Sequence, residues 1–393
     1  QEPNATRHLT PFAPLGTGSQ LLHAHKHANT HTRPQPHQHN AHAHKPACPY
    51  IDTDKLAIYL QHNHPMVLSA PPPPSPIASH SLSLPASRGL QVKAAFARAA
   101  TMPVNSSRQI VVICPILECP PGRIWRGAGS QSAGSQSCRL TANNGHATRR
   151  LALRSWMKLQ LKVLVPTWTG SEPSTLLNGI SVHHFVYLQL DAILTRRWLQ
   201  GYGASWFQRE SPYVAGNIGK MVAADAGLRL GYDIVLVDWD AICSRSPLPA
   251  MVNYVARNND TEILAPFNHV EGREHMNSFT LLRPSLRTEA VFVDIQQQLQ
   301  ANHASEFNRL NASLGIFNRA IGRCFRLSSR KRGGRPGEWV SRYEHVASMP
   351  KYILRTGIGS TLDSKPMCYH MPGHDKDLMV ERLPMQLLRQ LRG

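Results

Sequence analysis

The sequence predicts an α/β domain behind a low-complexity N-terminal extension, and three observations carry that prediction. Residues 234–237, Ile-Val-Leu-Val, form an unbroken aliphatic run of strand length that ends on Asp238 and Asp240. Such runs are typical of parallel strands covered on both faces. Just before it, residues 216–230 carry Ile218, Met221, Val222 and Leu228 at helical spacing, with Gly231 as the stop. A helix therefore feeds a strand, the unit from which α/β sheets are built. Residues 1–106 differ: eight histidines fall between His23 and His44, and a Pro71-Pro-Pro-Pro-Ser-Pro76 run follows, with no lasting apolar periodicity. Such a segment cannot bury enough surface to offset its ordering entropy and is predicted to be disordered. The expected boundaries are thus 1–106 for the extension and 107–393 for the folded domain.

In chain order, residues 109–115 (Gln-Ile-Val-Val-Ile-Cys-Pro) and 159–166 (Leu-Gln-Leu-Lys-Val-Leu-Val-Pro) both read as strands, and either fits as the first of the sheet. Between them lies a Gly/Ser/Arg-rich patch, 122–137, of loop composition. Residues 184–190 form a further strand closing on Asp191, and 193–199 a short helix. After the 234–237 strand, Pro247-Leu-Pro249 breaks the chain before a helix over 251–257. Short strands follow at 261–266 and 279–282. Residues 287–300 place Val291, Phe292, Ile295 and Leu299 on one helical face, and 306–321 do the same with Phe307, Leu310, Leu314 and Phe317. A basic loop at 326–335 and a helix at 377–391 complete the chain.

The chain carries 43 Lys+Arg against 24 Asp+Glu, a formal charge of +19. Charge of that sign raises nucleic acid as a partner. The bases are scattered, however, without a helix-turn-helix, zinc-finger spacing or aromatic-basic signature, so no nucleic-acid partner is expected. Seven cysteines form no Cys-x-x-Cys pair, and their pairing is not readable from spacing. The sequons at Asn4, Asn105, Asn259 and Asn311 lean towards a secretory route. No run of 18 apolar residues is present, so no membrane anchor is visible.

Asp238 and Asp240 are the candidate metal ligands. In open α/β sheets, ligands sit just beyond the carboxyl ends of the strands. Two aspartates there, one residue apart, can share a hard divalent cation, and Mg²⁺ or Mn²⁺ held that way keeps open positions for substrate phosphates.

From about residue 185 onward the sequence resembles the plant and algal nucleotide-diphospho-sugar transferases of glycosyltransferase family 77. The resemblance rests on Gly231-Tyr-Asp-Ile-Val-Leu-Val-Asp-Trp-Asp-Ala-Ile242 followed by Arg245-Ser-Pro247, with Leu190-Asp191, Lys220, Ser278-Phe279, Arg283-Pro284-Ser285, Phe307-Asn308, Tyr369-His370 and Gly373-His-Asp-Lys376 in order around it. It implies a GT-A fold, a Rossmann-like sheet that takes a UDP-sugar through Mn²⁺ (or Mg²⁺). It also implies retaining transfer to a hydroxyl of a glycan or glycoprotein acceptor of the cell wall, in the Golgi lumen. Carried over residue by residue, Asp240 is the principal metal ligand. Asp238 contacts the metal or the ribose, and His370 is a further metal ligand. Asp191 and Lys220 contact the nucleotide, and Lys376 adds positive charge near the diphosphate.

The sequence departs from that pattern at named places. Ser278 stands where the family has a glycine that lets the backbone approach the sugar. His303-Ala304 stand where it has Asp-Gln, and the closing segment from His370 to Gly373 is compressed. These departures define the alternative of a member that binds nucleotide sugar or glycan without turnover. A basic nucleic-acid-binding protein is the alternative from a different class.

Overall fold

The computed structural model describes residues 86–104, 106–116, 146–168, 182–190, 212–266, 279–301, 312–325, 343–356, 366–370, 380 and 383–392. All of them belong to one unit, His44–Gly393. Their fold is α/β with a mostly parallel seven-stranded central sheet, compatible with a Rossmann-like architecture.

The sheet runs in the order β3-β2-β1-β4-β7-β6-β8. Its strands are β1 (Ile110–Ile113), β2 (Val163–Thr167), β3 (Phe185–Gln189), β4 (Asp233–Leu236), β6 (Ile263–Ala265), β7 (Thr280–Leu282) and β8 (Val346–Ser348). β7 alone in this sheet runs antiparallel to its neighbours. The 109–115 and 159–166 runs are therefore both strands, adjacent and parallel, with Val112 opposite Val163. A smaller sheet has the order β5-β10-β9, from β5 (Ala241–Cys243), β10 (Cys368–His370) and β9 (Leu354–Thr356).

The aliphatic runs carry no polar alternation because both faces of the large sheet are covered. On one face Val111, Ile113, Leu164, Ile234, Leu236 and Leu282 pack with helices α1 (Ala86–Ala99), α3 (Pro212–Arg229), α5 (Leu286–Ala301) and α6 (Ala312–Cys324). On the other, Ile110, Val112, Val163, Val165, Val235 and Val237 meet α2 (His146–Lys158), α4 (Leu248–Arg257), α7 (Met385–Arg392) and the small sheet. Period-2 strands between two helical layers explain the pattern.

α3 is buried from Gly216 to Leu228. Its end is set by Gly231 at φ 87°, where the amides of Gly231 and Tyr232 donate to the carbonyls of Leu228 and Gly227. That paired closure of the last turn requires a left-handed residue, which glycine adopts without strain. Two residues later β4 begins. The helix-to-strand unit expected from the sequence is therefore present.

Several expectations are corrected. Residues 86–99, assigned to the disordered extension, form α1, whose Val92, Ala95, Phe96 and Ala99 are fully buried at i, i+3, i+4 and i+7. The low-complexity boundary at 106 thus lies too late, and residues 1–85 are outside the described set. α2 was not anticipated. α4 starts at Leu248 and takes Pro249 into its first turn, where a missing amide proton is harmless. The expected 377–391 helix is broken at Leu383-Pro384, and α7 starts only at Met385. The 193–199 helix, the 326–335 loop and the start of the 306–321 helix lie outside the described residues, and α6 ends at Cys324.

Candidate metal centre

Chain order gives the site its place. The strands β1, β2 and β3 step outward in one direction; the chain then returns through α3 and lays β4 on the opposite side of β1. At such a switch point the two flanking connections diverge and leave a crevice beyond the carboxyl ends. β4 reaches that edge as Leu236-Val237, with the Val237 amide still donating to the Ile113 carbonyl at 2.9 Å. The chain then turns, with the Ala241 amide donating to the Asp238 carbonyl at 3.2 Å, and enters β5. The turn sets Asp238 and Asp240 within ligand distance of each other just beyond the carboxyl end of β4.

His370 arrives from the far end of the chain. It is the last residue of β10, which pairs antiparallel with β5 and sets His370 opposite Ala241. Its Nε2 lies 3.3 Å from Asp240 Oδ1 and 3.8 Å from Asp238 Oδ2. One ligand atom each from Asp238, Asp240 and His370 fall within 4.8 Å of one another. Ligands at about 2.1 Å from one cation stand about 3 Å apart when adjacent and about 4 Å when opposed. The two separations of His370 Nε2 from the carboxylate oxygens lie in that range. Two carboxylate oxygens with one imidazole suit Mn²⁺ better than Mg²⁺, since imidazole is a poor ligand for the harder ion.

The three side chains differ in access. Those of Asp240 and His370 are 4% and 3% exposed, whereas Asp238 is 30% exposed. Asp238 is thus the most solvent-accessible of the three. Its Oδ1 accepts a 2.6 Å charged hydrogen bond from Lys220 Nζ, leaving Oδ2 turned towards His370. Lys220, expected to contact the nucleotide, is completely buried on α3, and its placed contact is with Asp238. His370 Nδ1 is buried without a hydrogen-bond partner among the described residues. Asp191 and Lys376 lie outside the described residues, as do Ser278, His303, Ala304 and Gly373.

Sequence reasoning missed the scaffold around these ligands. α2 buttresses β5: Trp156 Nε1 donates to the Ala241 carbonyl at 2.8 Å, and Ser155 Oγ accepts from the Cys243 amide at 3.0 Å. Arg149, in the first turn of α2, lays its guanidinium 4.3 Å over the ring of Trp239, the residue between the two aspartates. A disulfide joins Cys243 in β5 to Cys368 in β10. Cys114, at the end of β1, is buried; burial first, and then the Asp238 charge, push its thiol pKa up. It is therefore an inert thiol rather than a nucleophile. Phe279 enters β7 at φ 55°, an unusual backbone for an aromatic residue, at the same edge of the sheet.

No family model matches this chain, and no curated protein matches it. The functional reading therefore stands on the site itself and on the motif resemblance.

Proposed function

We propose that this chain is a metal-dependent glycosyltransferase of GT-A type, moving a sugar from a nucleotide diphosphate, a UDP-sugar, to a hydroxyl of a glycan or glycoprotein. The observation that carries the reading is the convergence of Asp238, Asp240 and His370 beyond β4, at the switch point of a mostly parallel sheet.

In this reading Asp238, Asp240 and His370 would hold the cation. Lys220 fixes the Asp238 carboxylate by its bond to Oδ1. When bound, Mn²⁺ would offset the charge that develops on a departing diphosphate. Asp191 and Lys376 remain candidates for nucleotide contacts by the motif resemblance alone.

A secretory compartment, the Golgi lumen, accords with two features. The Cys243–Cys368 bond persists only where the milieu is oxidising. Asn259, the acceptor of one sequon, is exposed in the turn after α4. No described helix is long and apolar enough to cross a membrane.

The replacement of an expected Asp-Gln by His303-Ala304 supports a second reading, in which the chain binds donor sugar without transferring it. One experiment serves both: calorimetric binding of a panel of UDP-sugars with and without Mn²⁺, followed by product analysis with glycan acceptors. Manganese-dependent affinity with transfer supports the enzyme, and manganese-dependent affinity without transfer selects the binding protein. Equal affinity with and without manganese would remove both.

A further inference from the structure

We propose that the Cys243–Cys368 disulfide is a positioning element of the metal site, so that cation binding and the oxidised state of this pair reinforce each other. The inference rests on reading Asp238, Asp240 and His370 as cation ligands, and adds a redox dependence to that site.

The geometry is a short ladder tied at both ends. β5 and β10 share three residue pairs: Cys243 with Cys368, Ile242 with Tyr369, and Ala241 with His370. At one end stands the disulfide. At the other stands the ligand pair, because Asp240 immediately precedes Ala241 and its Oδ1 faces His370 Nε2 at 3.3 Å. The two strands are 125 residues apart in sequence at the cystine, so local chain geometry does nothing to bring them together.

β5 is held independently of β10 by its bonds to Ser155 and Trp156. β10 is held by its parallel pairing with the three-residue β9, by the Met367 amide donating to the Tyr352 carbonyl, by the Ser244 amide and hydroxyl and the Arg245 amide donating to the Met367 carbonyl, and by the cystine itself. A ladder this short is weak without further ties. Among the described residues, the disulfide is the covalent tie that holds His370 in register with a ligand on a separately anchored strand.

Both cysteines are buried, so a reductant reaches the sulfurs only when β5 and β10 part. The same parting separates His370 from Asp240. A cation bridging those two side chains resists it from the other end of the ladder. Linkage then requires reciprocity: the factor by which reduction weakens cation binding equals the factor by which the cation disfavours reduction. The reduction itself is a two-electron exchange with a dithiol. The Cys243–Cys368 S–S bond breaks, both sulfurs leave as thiols, and the reagent's two thiols become its own disulfide.

The test uses the intact chain, Mn²⁺ and dithiothreitol. Mn²⁺ affinity is measured from the electron paramagnetic resonance signal of the free ion, for oxidised and reduced protein shown folded by near-UV circular dichroism. The expected result is about 10- to 100-fold weaker binding in the reduced protein, the range found when supports of metal ligands are lost. Saturating Mn²⁺ should shift the thiol–disulfide equilibrium by the same factor, and Asp240→Asn should erase that shift. The double variant Cys243→Ala/Cys368→Ala should bind like the reduced form. If the reduced protein and the double variant fail to fold, the rate at which dithiothreitol reduces the native oxidised chain remains readable, and Mn²⁺ should slow it only when Asp240 is present. Equal Mn²⁺ affinity in both folded redox states, or a reduction rate indifferent to Mn²⁺ in a protein that binds it, overturns the positioning role alone. Absence of Mn²⁺ binding by the oxidised protein overturns the metal reading and this inference with it.

Discussion

β4 begins on one aspartate, Asp233, and runs out through Val237 into another, Asp238, and the two could hardly be surrounded more differently. At its start Asp233 is buried and receives three short bonds from one guanidinium: Arg108 Nε lies 2.9 Å from both oxygens and Arg108 Nη2 lies 2.7 Å from Oδ1. Arg283 adds a second positive charge nearby. At its end, Asp238 shares its surroundings with a second carboxylate, Asp240, and an imidazole, while Lys220 occupies only one oxygen. The first end is saturated with fixed cations, so Asp233 is an ion pair that closes the amino edge of the sheet. The second gathers ligand atoms that face one another at metal-sharing distances. A carboxylate at a strand end is thus informative only together with what its oxygens already hold.

Exchanging amide for acid at each end gives the sharpest contrast. Asp240→Asn should weaken Mn²⁺ binding by at least about 100-fold, since a neutral amide is a far poorer ligand for a hard cation, while the unfolding midpoint stays near the parent's. Asp233→Asn should do the reverse, leaving Mn²⁺ affinity intact and lowering stability by about 1–3 kcal/mol, because Arg108 loses the charge and the second oxygen of its partner. If Asp233→Asn also abolished Mn²⁺ binding, the distinction between the two ends would fail.

Packing offers a second way to separate fold from site. A Cβ on Gly227 would stand 2.5 Å from Ile234 Cδ1 and 2.6 Å from the Phe96 ring, where α3 crosses β4 and α1. Gly227→Ala should therefore destabilise by about 1–3 kcal/mol by overpacking, with Mn²⁺ affinity per folded molecule unchanged. Denaturant melts alongside metal titrations check both halves.

Smaller effects follow from protonation. Burial pushes the Asp233 carboxyl up while the Arg108 guanidinium pulls it down, and burial prevails. The folded chain then holds this proton more tightly than the unfolded chain does. Its contribution to stability is fully present below the unfolded value and is lost as pH rises through the folded one. Asp233→Asn should accordingly cost somewhat more near pH 3.5 than at neutral pH, as measured by paired urea melts; an opposite trend would mean that the arginines prevail. Smallest of all, Cys114 is buried, and it should resist alkylation in the native chain and react fully once it is unfolded.

What the sequence disclosed follows the same physical division. Asp238 and Asp240 were legible because a continuous aliphatic strand ran into them. The strands 110–113, 163–167 and 233–236 were legible for the same reason, being buried on both faces. α1 and α2 were not. α1 is rich in alanine and buries only a narrow stripe. α2, His-Ala-Thr-Arg-Arg-Leu-Ala-Leu-Arg-Ser-Trp-Met-Lys, follows a glycine- and serine-rich patch and carries exposed Arg150, Arg154 and Lys158 along one side. The strands β5, β8, β9 and β10 have three residues each, too few for any period to show. His370 was reached only through its motif resemblance, and the cystine that ties its strand to Asp240 joins residues whose pairing no spacing rule supplies. Local pattern revealed the ribbon that carries the acids, while the long-range partners that make them a site required the fold.

The central claim is that Asp238, Asp240 and His370 hold one divalent cation. Titrating Mn²⁺ into the oxidised chain, with the free ion followed by electron paramagnetic resonance, tests it most directly. One Mn²⁺ should bind per chain, lost in Asp240→Asn and in His370→Ala and retained in Asp233→Asn. A parent that leaves Mn²⁺ free in solution, or binds it equally well without Asp240, would contradict it.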